Sequence, residues 1–218
     1  MKRFILPCLA FAVASSAGAA EEIWRLDNLE KLGAHRITVE GAPQVVVLEG
    51  ARAVKFDGVK DGLIVDTIPF AGAREFTIEI LFQPEEGGLR EQRFFHAQFD
   101  GERRALIETR LDGKGSWWLD TFITTNPPPD IGVTLADSKQ IHPTGKWYWA
   151  ALRYDGETMS HYVNGRKELE KRASFAPFAQ GKTSLGVRQN KVFWFKGAIR
   201  EVRFHREAVT PEKLQRVP

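Results

Sequence analysis

Aromatic and guanidinium side chains are the residues of this sequence best suited to binding chemistry. A sugar ring presents an apolar C–H face that packs against Trp or Tyr, and its hydroxyls form hydrogen bonds with polar side chains. The chain contains six Trp, of which Trp117 and Trp118 are adjacent. Because neighbouring strand residues point to opposite faces, one of these two must leave the core.

The run WYWAALRY at residues 147–154 adds a third aromatic candidate. If Ala150, Leu152 and Tyr154 face inward, Trp149 and Arg153 point to the opposite face. A strand with a bulge at its entrance would leave the face of Trp147 undetermined. The sequence therefore predicts a ligand-contact surface, rimmed by residues 126–137, with these members: Trp149, Arg153, Arg110, Glu108 and one of Trp117 or Trp118.

Paired carboxylates are the other chemistry to consider, because glycoside hydrolysis needs two of them flanking one bond. Glu75 and Glu79 share a face, but four strand residues separate them by about 13 Å. Glu79 and Glu108 could meet only across neighbouring strands. Arg110 shares the face of Glu108, which favours an arginine-paired carboxylate over a catalytic one.

The elements that must position these residues are short strands. Apolar or alternating runs recur every 8 to 12 or so residues with turn signals between them, which is typical of an all-β sandwich or barrel. Asp155-Gly156 and Asn164-Gly165 mark two tight turns. Only the end of the chain is predicted to be helical, with Thr210 as N-cap and Pro211 as the first helical residue.

The first 20 residues are predicted to be a secretory signal peptide. A basic start at Lys2 and Arg3 precedes a short apolar run, and Ala17-Gly18-Ala19 offers a small-residue cleavage site. Residues 21–218 are then expected to form one domain, in a compartment outside the cytoplasm. This part has no cysteine, since Cys8 lies in the leader, so its stability must come from a core.

Charge and hydropathy exclude several function classes. The chain has 31 basic and 28 acidic residues, and removal of Lys2 and Arg3 leaves 29 against 28. A nearly neutral domain does not indicate a nucleic-acid partner or a membrane surface. No second apolar run approaches membrane-spanning length, and the five His lack metal-ligand spacing.

Four segments, read in order, resemble laminin-G-like and pentraxin-like domains of the concanavalin A-like lectin/glucanase superfamily. They cover most of residues 51–218 and are AVKFDGVKDGLIVDTIPF with EFTIEILFQPEEGG, GKWYWAALRYDGETMSHYVNGRKE, TSLGVRQN, and FKGAIREVRFHREAVTPEKL. The resemblance implies two antiparallel sheets in a jelly-roll β-sandwich with one concave face, followed by a short C-terminal helical turn. The family often carries an acidic residue where Arg200 stands. The resemblance also allows a calcium ion between loops, with Asp57, Asp61 or Asp155 as oxygen donors.

A second resemblance favours catalysis. REQR at 90–93 and QIH at 140–142 look like two of the three motifs of jelly-roll alginate lyases. The third motif should supply a tyrosine, where this chain reads VFWFKGAI. Catalysis by Arg93, Gln140 and His142 is therefore the less favoured alternative.

Three hypotheses remain open at this point. The first is a secreted, non-catalytic laminin-G-like domain that binds a glycan on its concave face. The second is a polysaccharide lyase or glucanase. The third is an adhesion or assembly module that binds a cell-surface or extracellular protein.

Overall fold

The computed structural model describes residues 21–99, 103–125 and 132–217, so the predicted signal peptide lies outside the described residues. Seventeen β-strands are present within these ranges. In chain order they are β1 Glu21–Arg25, β2 Lys31–Leu32, β3 His35–Glu40, β4 Gln44–Leu48, β5 Ala51–Asp57, β6 Gly62–Val65, β7 Phe76–Pro84, β8 Glu91–Phe99, β9 Arg104–Leu111, β10 Ser116–Ile123, β11 Val133–Ala136, β12 His142–Pro143, β13 Tyr148–Tyr154, β14 Thr158–Val163, β15 Arg166–Arg172, β16 Gly181–Leu185 and β17 Lys196–His205.

The strands form two antiparallel sheets. The eight-stranded sheet has the order β15-β14-β13-β7-β17-β5-β4, and β1 also pairs with β17. The nine-stranded sheet has the order β11-β10-β9-β8-β16-β6-β3-β2, and β12 also pairs with β10. The predicted all-β fold, with two antiparallel sheets forming a sandwich, is confirmed.

One large apolar cluster fills the space between the sheets. Phe82 of β7 and Phe94 of β8 stack across the sandwich with ring centroids 4.2 Å apart. Trp117 of β10 meets Phe82 edge to face at 5.1 Å and is fully buried. Each such aromatic removes a large apolar area from water, which is the main source of stability in a domain without disulfides.

The hairpin of β13 and β14 has the alternation that the sequence predicts. Ala150, Leu152 and Tyr154 belong to the central core, whereas Trp149 does not. The turn after β13 is stabilised because the Asp155 carboxylate accepts hydrogen bonds from the backbone N–H groups of Glu157 and Thr158. These interactions are local, which explains why the sequence alone located the hairpin.

The C-terminal segment crosses the outer face of the eight-stranded sheet. Its helical part is a single 3-10 turn, Pro211–Lys213, which confirms the predicted helical turn after Thr210. Val209 and Leu214 pack against Ala151 and Tyr162 on that face. The segment thus builds a second apolar layer outside the sandwich.

None of the helical segments in the described ranges has the length and apolar character needed to cross a bilayer.

Candidate functional site

The outer face of the nine-stranded sheet carries a row of charged residues beside a tryptophan. The β9–β10 hairpin places Trp118 directly opposite Arg110, and Asp120 directly opposite Glu108. Strand β8 pairs Glu91 with Arg110 and Arg93 with Glu108. Alternation explains the arrangement, because Leu119 between Trp118 and Asp120, and Ile107 and Leu111 on either side of Glu108 and Arg110, belong to the core.

Ion pairs connect the charges of this row. Arg110 donates to Asp120 from Nε and Nη2, each 2.7 Å from the same carboxylate oxygen, and its Nη1 pairs with Glu91. Arg93 Nε lies 3.0 Å from Glu108 Oε2. Each buried carboxylate therefore has an arginine partner, as burial of charge in a protein requires.

Burial changes the protonation of this row. The pKa of Glu108 is raised to about 7, chiefly by burial and against the attraction of Arg93. Burial also raises the pKa of Asp120, while Arg110 opposes the shift. His96 on β8 is fully buried, and burial with the nearby Arg188 lowers its pKa to about 3. The neutral ring accepts a hydrogen bond at Nδ1 from the backbone N–H of Gln189.

A cleft of about 650 Å³ lies beside Trp118, at the end of the β9–β10 hairpin. Its remaining polar lining consists of Ser116, the first residue of β10, and of four loop residues: Glu86, Arg90, Asp112 and Thr144. The volume falls within the range of roughly 300–1,000 Å³ that is usual for small-molecule sites.

Local turn chemistry shapes one wall of this cleft. Asp112 Oδ1 accepts hydrogen bonds from the backbone N–H groups of Lys114 and Ser116, which lowers the pKa of Asp112. Gly113 and Gly115 have φ values of 72° and 90°, which favour glycine. Trp118 follows the buried Trp117 on β10, close to this turn, and its side chain is partly exposed.

The six predicted contact residues do not form one surface. Trp118, Arg110 and Glu108 lie together on the outer face of the nine-stranded sheet, whereas Trp117 is buried in the core. Trp149 and Arg153 lie on the outer face of the other sheet. The expectation of one shared surface is therefore corrected, because β13 pairs with β7 and β14 in the eight-stranded sheet.

The surroundings of Trp149 and Arg153 explain their low exposure. Trp149 is 7% exposed, and the Arg203 guanidinium lies 5.3 Å from the centre of its ring. Arg153 donates to the carbonyl of Val209 in the C-terminal segment and to Asp155. Trp149 is thus covered by neighbouring side chains and is not an open stacking platform.

The rim predicted at residues 126–137 falls partly outside the described residues, which resume at 132. Its described part forms β11, which pairs with β10.

Residues of the catalytic alternatives are also separated. Glu79 lies on β7 of the eight-stranded sheet, bonded to His205 and to the backbone of Gln215, so it does not meet Glu108. His142 packs on Trp117 with ring centroids 4.9 Å apart and binds Glu168 at 2.7 Å. Arg93, by contrast, lies on the outer face of β8, beside Glu108. The lyase-like set of Arg93, Gln140 and His142 is therefore not assembled.

The three aspartates considered for calcium have other hydrogen-bond partners. Asp57 accepts bonds from three backbone N–H groups of its own turn, and Asp61 accepts from Ala42 and Asp57. Asp155 binds its turn and Arg153. Within the ranges that the structure covers, no group of three or more His, Cys, Asp or Glu could hold a metal ion. Calcium binding stays a prediction.

Sequence reasoning did not identify Asp120, Glu91 or the cleft. One signal was available: LDGKGS separates two strand-like runs, and a hairpin closed at that turn places Arg110 opposite Trp118. Strand β9 directly follows β8 in the chain and pairs with it antiparallel, so the same alternation could also have placed Glu91 and Arg93 beside Arg110 and Glu108. The cleft depends on distant segments as well, since Thr144 lines it.

Solved structures with similar folds include two domains in complex with a carbohydrate. Domain 4 of a GH43 extracellular arabinanase from Geobacillus stearothermophilus, in complex with arabinotriose, has 18% identity and a TM-score of 0.59 over 90% of this chain and 97% of that chain. The binding domain of botulinum neurotoxin DC, in complex with SialylT, has 11% identity and a TM-score of 0.64 over 88% and 49%. A heptameric SAP-like pentraxin from Limulus polyphemus has 15% identity and a TM-score of 0.55 over 80% and 79%. At these identities the likeness shows the fold.

A comparison with curated proteins finds no match. A family profile described as the Concanavalin A-like lectin/glucanases superfamily, of the laminin G type, matches residues 57–215. That range covers most of the chain and contains β6 to β17, which include strands of both sheets, in agreement with the resemblance of the four sequence segments. The protein belongs to the concanavalin A-like lectin/glucanase superfamily.

Proposed function

We propose that the protein is a secreted, non-catalytic laminin-G-like domain that binds a glycan in the cleft beside Trp118. The observation that carries the proposal is one juxtaposition: a partly exposed tryptophan borders a cleft of about 650 Å³ and has an arginine as its cross-strand neighbour. The leader-like residues 1–20 support a location outside the cytoplasm.

The cleft offers both halves of sugar recognition. The exposed part of the Trp118 ring packs against the C–H face of a pyranose or furanose. Glu86, Arg90 and Asp112 line the same cleft and are exposed. Their side chains can therefore form hydrogen bonds with ring hydroxyls without any rearrangement of the core. Similar folds bind arabinotriose and SialylT, which is consistent with a carbohydrate ligand.

Retention of the protein on a panel of neutral polysaccharides tests this function. Trp118→Ala is expected to abolish retention while the circular dichroism spectrum stays unchanged. Trp194→Ala is the matched control, because Trp194 is also partly exposed but does not line the cleft. Equal retention of both variants would refute the site. Failure of the unmodified protein to bind any glycan, with capture of a defined extracellular protein instead, would favour an adhesion module.

One observation favours catalysis as the second candidate. Glu108 and Asp120 have carboxylate oxygens 3.8 Å and 2.7 Å from the same Arg110 nitrogen, and Glu108 has a pKa near 7, as a general acid requires. However, the two residues are only 2% and 3% exposed, so a substrate oxygen has no direct access to them.

An assay for reducing ends and for unsaturated uronates separates the two candidates. The proposed binding domain releases neither product from any polysaccharide that it retains. Product release that is lost in Glu108→Gln would establish the enzyme instead.

A further inference from the structure

We propose that the opposite face of the protein, the outer face of the eight-stranded sheet, holds a second site that binds a carboxylate-bearing saccharide. This site is a cleft of about 490 Å³ between the β4–β5 turn, the start of β13 and the C-terminal segment. The residues that carry the argument are Lys146, Arg200, Arg216, Trp147, Trp149 and Glu49.

Charge is the first reason. Lys146, Arg200 and Arg216 line the cleft against one acid, Glu49. Arg200 donates from Nη2 to the backbone carbonyl of Leu48 at 2.7 Å, and in the described part of the chain none of the three cations forms an ion pair. Other arginines on the outer faces are paired: Arg110 with Asp120 and Arg153 with Asp155. The cleft therefore presents unneutralised positive charge.

Unsatisfied donors are the second reason. The indole Nε1 of Trp147 and the Nε of Arg200 are buried and have no hydrogen-bond partner among the described residues. The two groups are adjacent, since the Arg200 guanidinium lies 4.1 Å from the centre of the Trp147 ring. Buried N–H donors normally find an acceptor, so a ligand rich in oxygen atoms suits this place.

The geometry also restricts the kind of contact. Arg200 covers the ring of Trp147, and Arg203 lies over the ring of Trp149, so neither ring offers an open face for stacking. Recognition must instead rest on ionic contacts and hydrogen bonds. A carboxylate matches the planar fork of an arginine, and the hydroxyls that flank it in a uronic acid can accept from the other donors.

A saccharide fits better than an acidic peptide. Strand β13, which carries Trp149, is paired on both sides, with β7 and with β14. No sheet edge is therefore open at Trp149 for an extended peptide to pair with through its backbone. Around Trp149 the cleft therefore supports side-chain recognition of a compact, charged ring. The edge strand β4 ends at the turn of Glu49, so an acidic peptide is the alternative that the test must separate.

Binding of a short oligogalacturonate to the full chain, measured by calorimetry, tests this site. We expect binding that weakens as salt increases, and no binding of a neutral oligosaccharide of equal length in the same cleft. Arg216→Gln should weaken oligogalacturonate binding about tenfold, the equivalent of one charged hydrogen bond. Arg172→Gln is the matched control, because Arg172 is an exposed arginine of β15 in the same sheet, paired with Glu157.

Each outcome decides the proposal. Arg200→Gln removes the buried donor and should also weaken oligogalacturonate binding. If Arg200→Gln does not fold, Lys146→Gln, which removes another cation of the cleft, is measured in its place and should weaken binding likewise. Equal weakening by Arg216→Gln and Arg172→Gln, absence of oligogalacturonate binding, or preference for an acidic peptide would overturn the site. The site is separate from the Trp118 cleft, so Arg216→Gln should weaken oligogalacturonate binding by the same factor in the unmodified protein and in the Trp118→Ala background.

Discussion

Trp118 of β10 lies directly opposite Arg110 of β9, and both side chains leave the same face of the nine-stranded sheet. Arg110 also contacts Asp120 with two of its nitrogens and is thereby fixed in position. The arginine thus connects a partly exposed ring to a row of buried charges. We therefore expect substitution of Arg110 to lower mainly the stability of the protein, and substitution of Trp118 to lower mainly ligand binding.

Arg110→Ala is expected to destabilise the protein strongly. The change leaves Asp120, 3% exposed, without its cation, and removing one partner of a buried ion pair costs about 3–5 kcal/mol. Urea denaturation measures the loss. Arg172→Ala is the control, since the Arg172–Glu157 pair has side chains 84% and 74% exposed and such pairs contribute about 0–1 kcal/mol. Similar losses in the two variants would contradict the buried network.

Trp117→Ala and Trp118→Ala should differ sharply although the residues are neighbours. Trp117 is fully buried against Phe82 and Tyr148, and truncation of such a side chain costs about 3–5 kcal/mol. Trp118 is partly exposed, and we expect a loss of about 1 kcal/mol. Thermal unfolding of the two variants decides the point. Comparable melting temperatures would mean that the hairpin alternation is different from the one described here.

The sequence predicted what local chemistry determines. The turns at Asp155 and Asn164 and the two-residue period placed Trp149 outside the core, and the 3-10 turn after Thr210 followed from its own residues. Nothing local indicated that Trp149 and Trp118 belong to different sheets, because strand order is fixed by pairing between distant segments. The low exposure of Trp149 has the same origin, since Arg203 of β17 lies over its ring and Arg216 of the C-terminal segment lines the same cleft. The sequence therefore predicted an aromatic and arginine-rich surface, of which Trp118, Arg110 and Glu108 do lie together on one face. It wrongly added Trp149 and Arg153, which lie on the other sheet.

His96→Asn should change the dependence of stability on pH. The folded state keeps His96 neutral down to a pKa of about 3, whereas the unfolded chain takes up a proton near 6.5. The stability that His96 contributes is thus complete above pH 6.5 and decreases as the pH falls towards 3. Asn retains an acceptor for the Gln189 N–H but does not titrate.

Urea denaturation at pH 7 and pH 4 measures this effect. The unmodified protein should lose about 3 kcal/mol more than His96→Asn between these values, at about 1.36 kcal/mol for each pH unit. His35→Asn is the control, because the His35 side chain is 35% exposed. A pH dependence in His96→Asn equal to that of the unmodified protein would show that His96 titrates normally.

Glu108→Gln should change the pH dependence in the opposite direction. Burial raises the pKa of Glu108 from 4.5 to about 7, so between these values the folded state holds a proton that the unfolded chain has released. Its contribution to stability is complete below pH 4.5 and is lost as the pH rises through 7. Between pH 4.5 and 8 the unmodified protein should lose on the order of 3 kcal/mol relative to Glu108→Gln. Glu157→Gln, at an exposed glutamate, should instead follow the unmodified protein. If all three proteins show parallel curves, Glu108 is ionised throughout and Arg93 outweighs burial, which would also remove the main argument for Glu108 as a general acid.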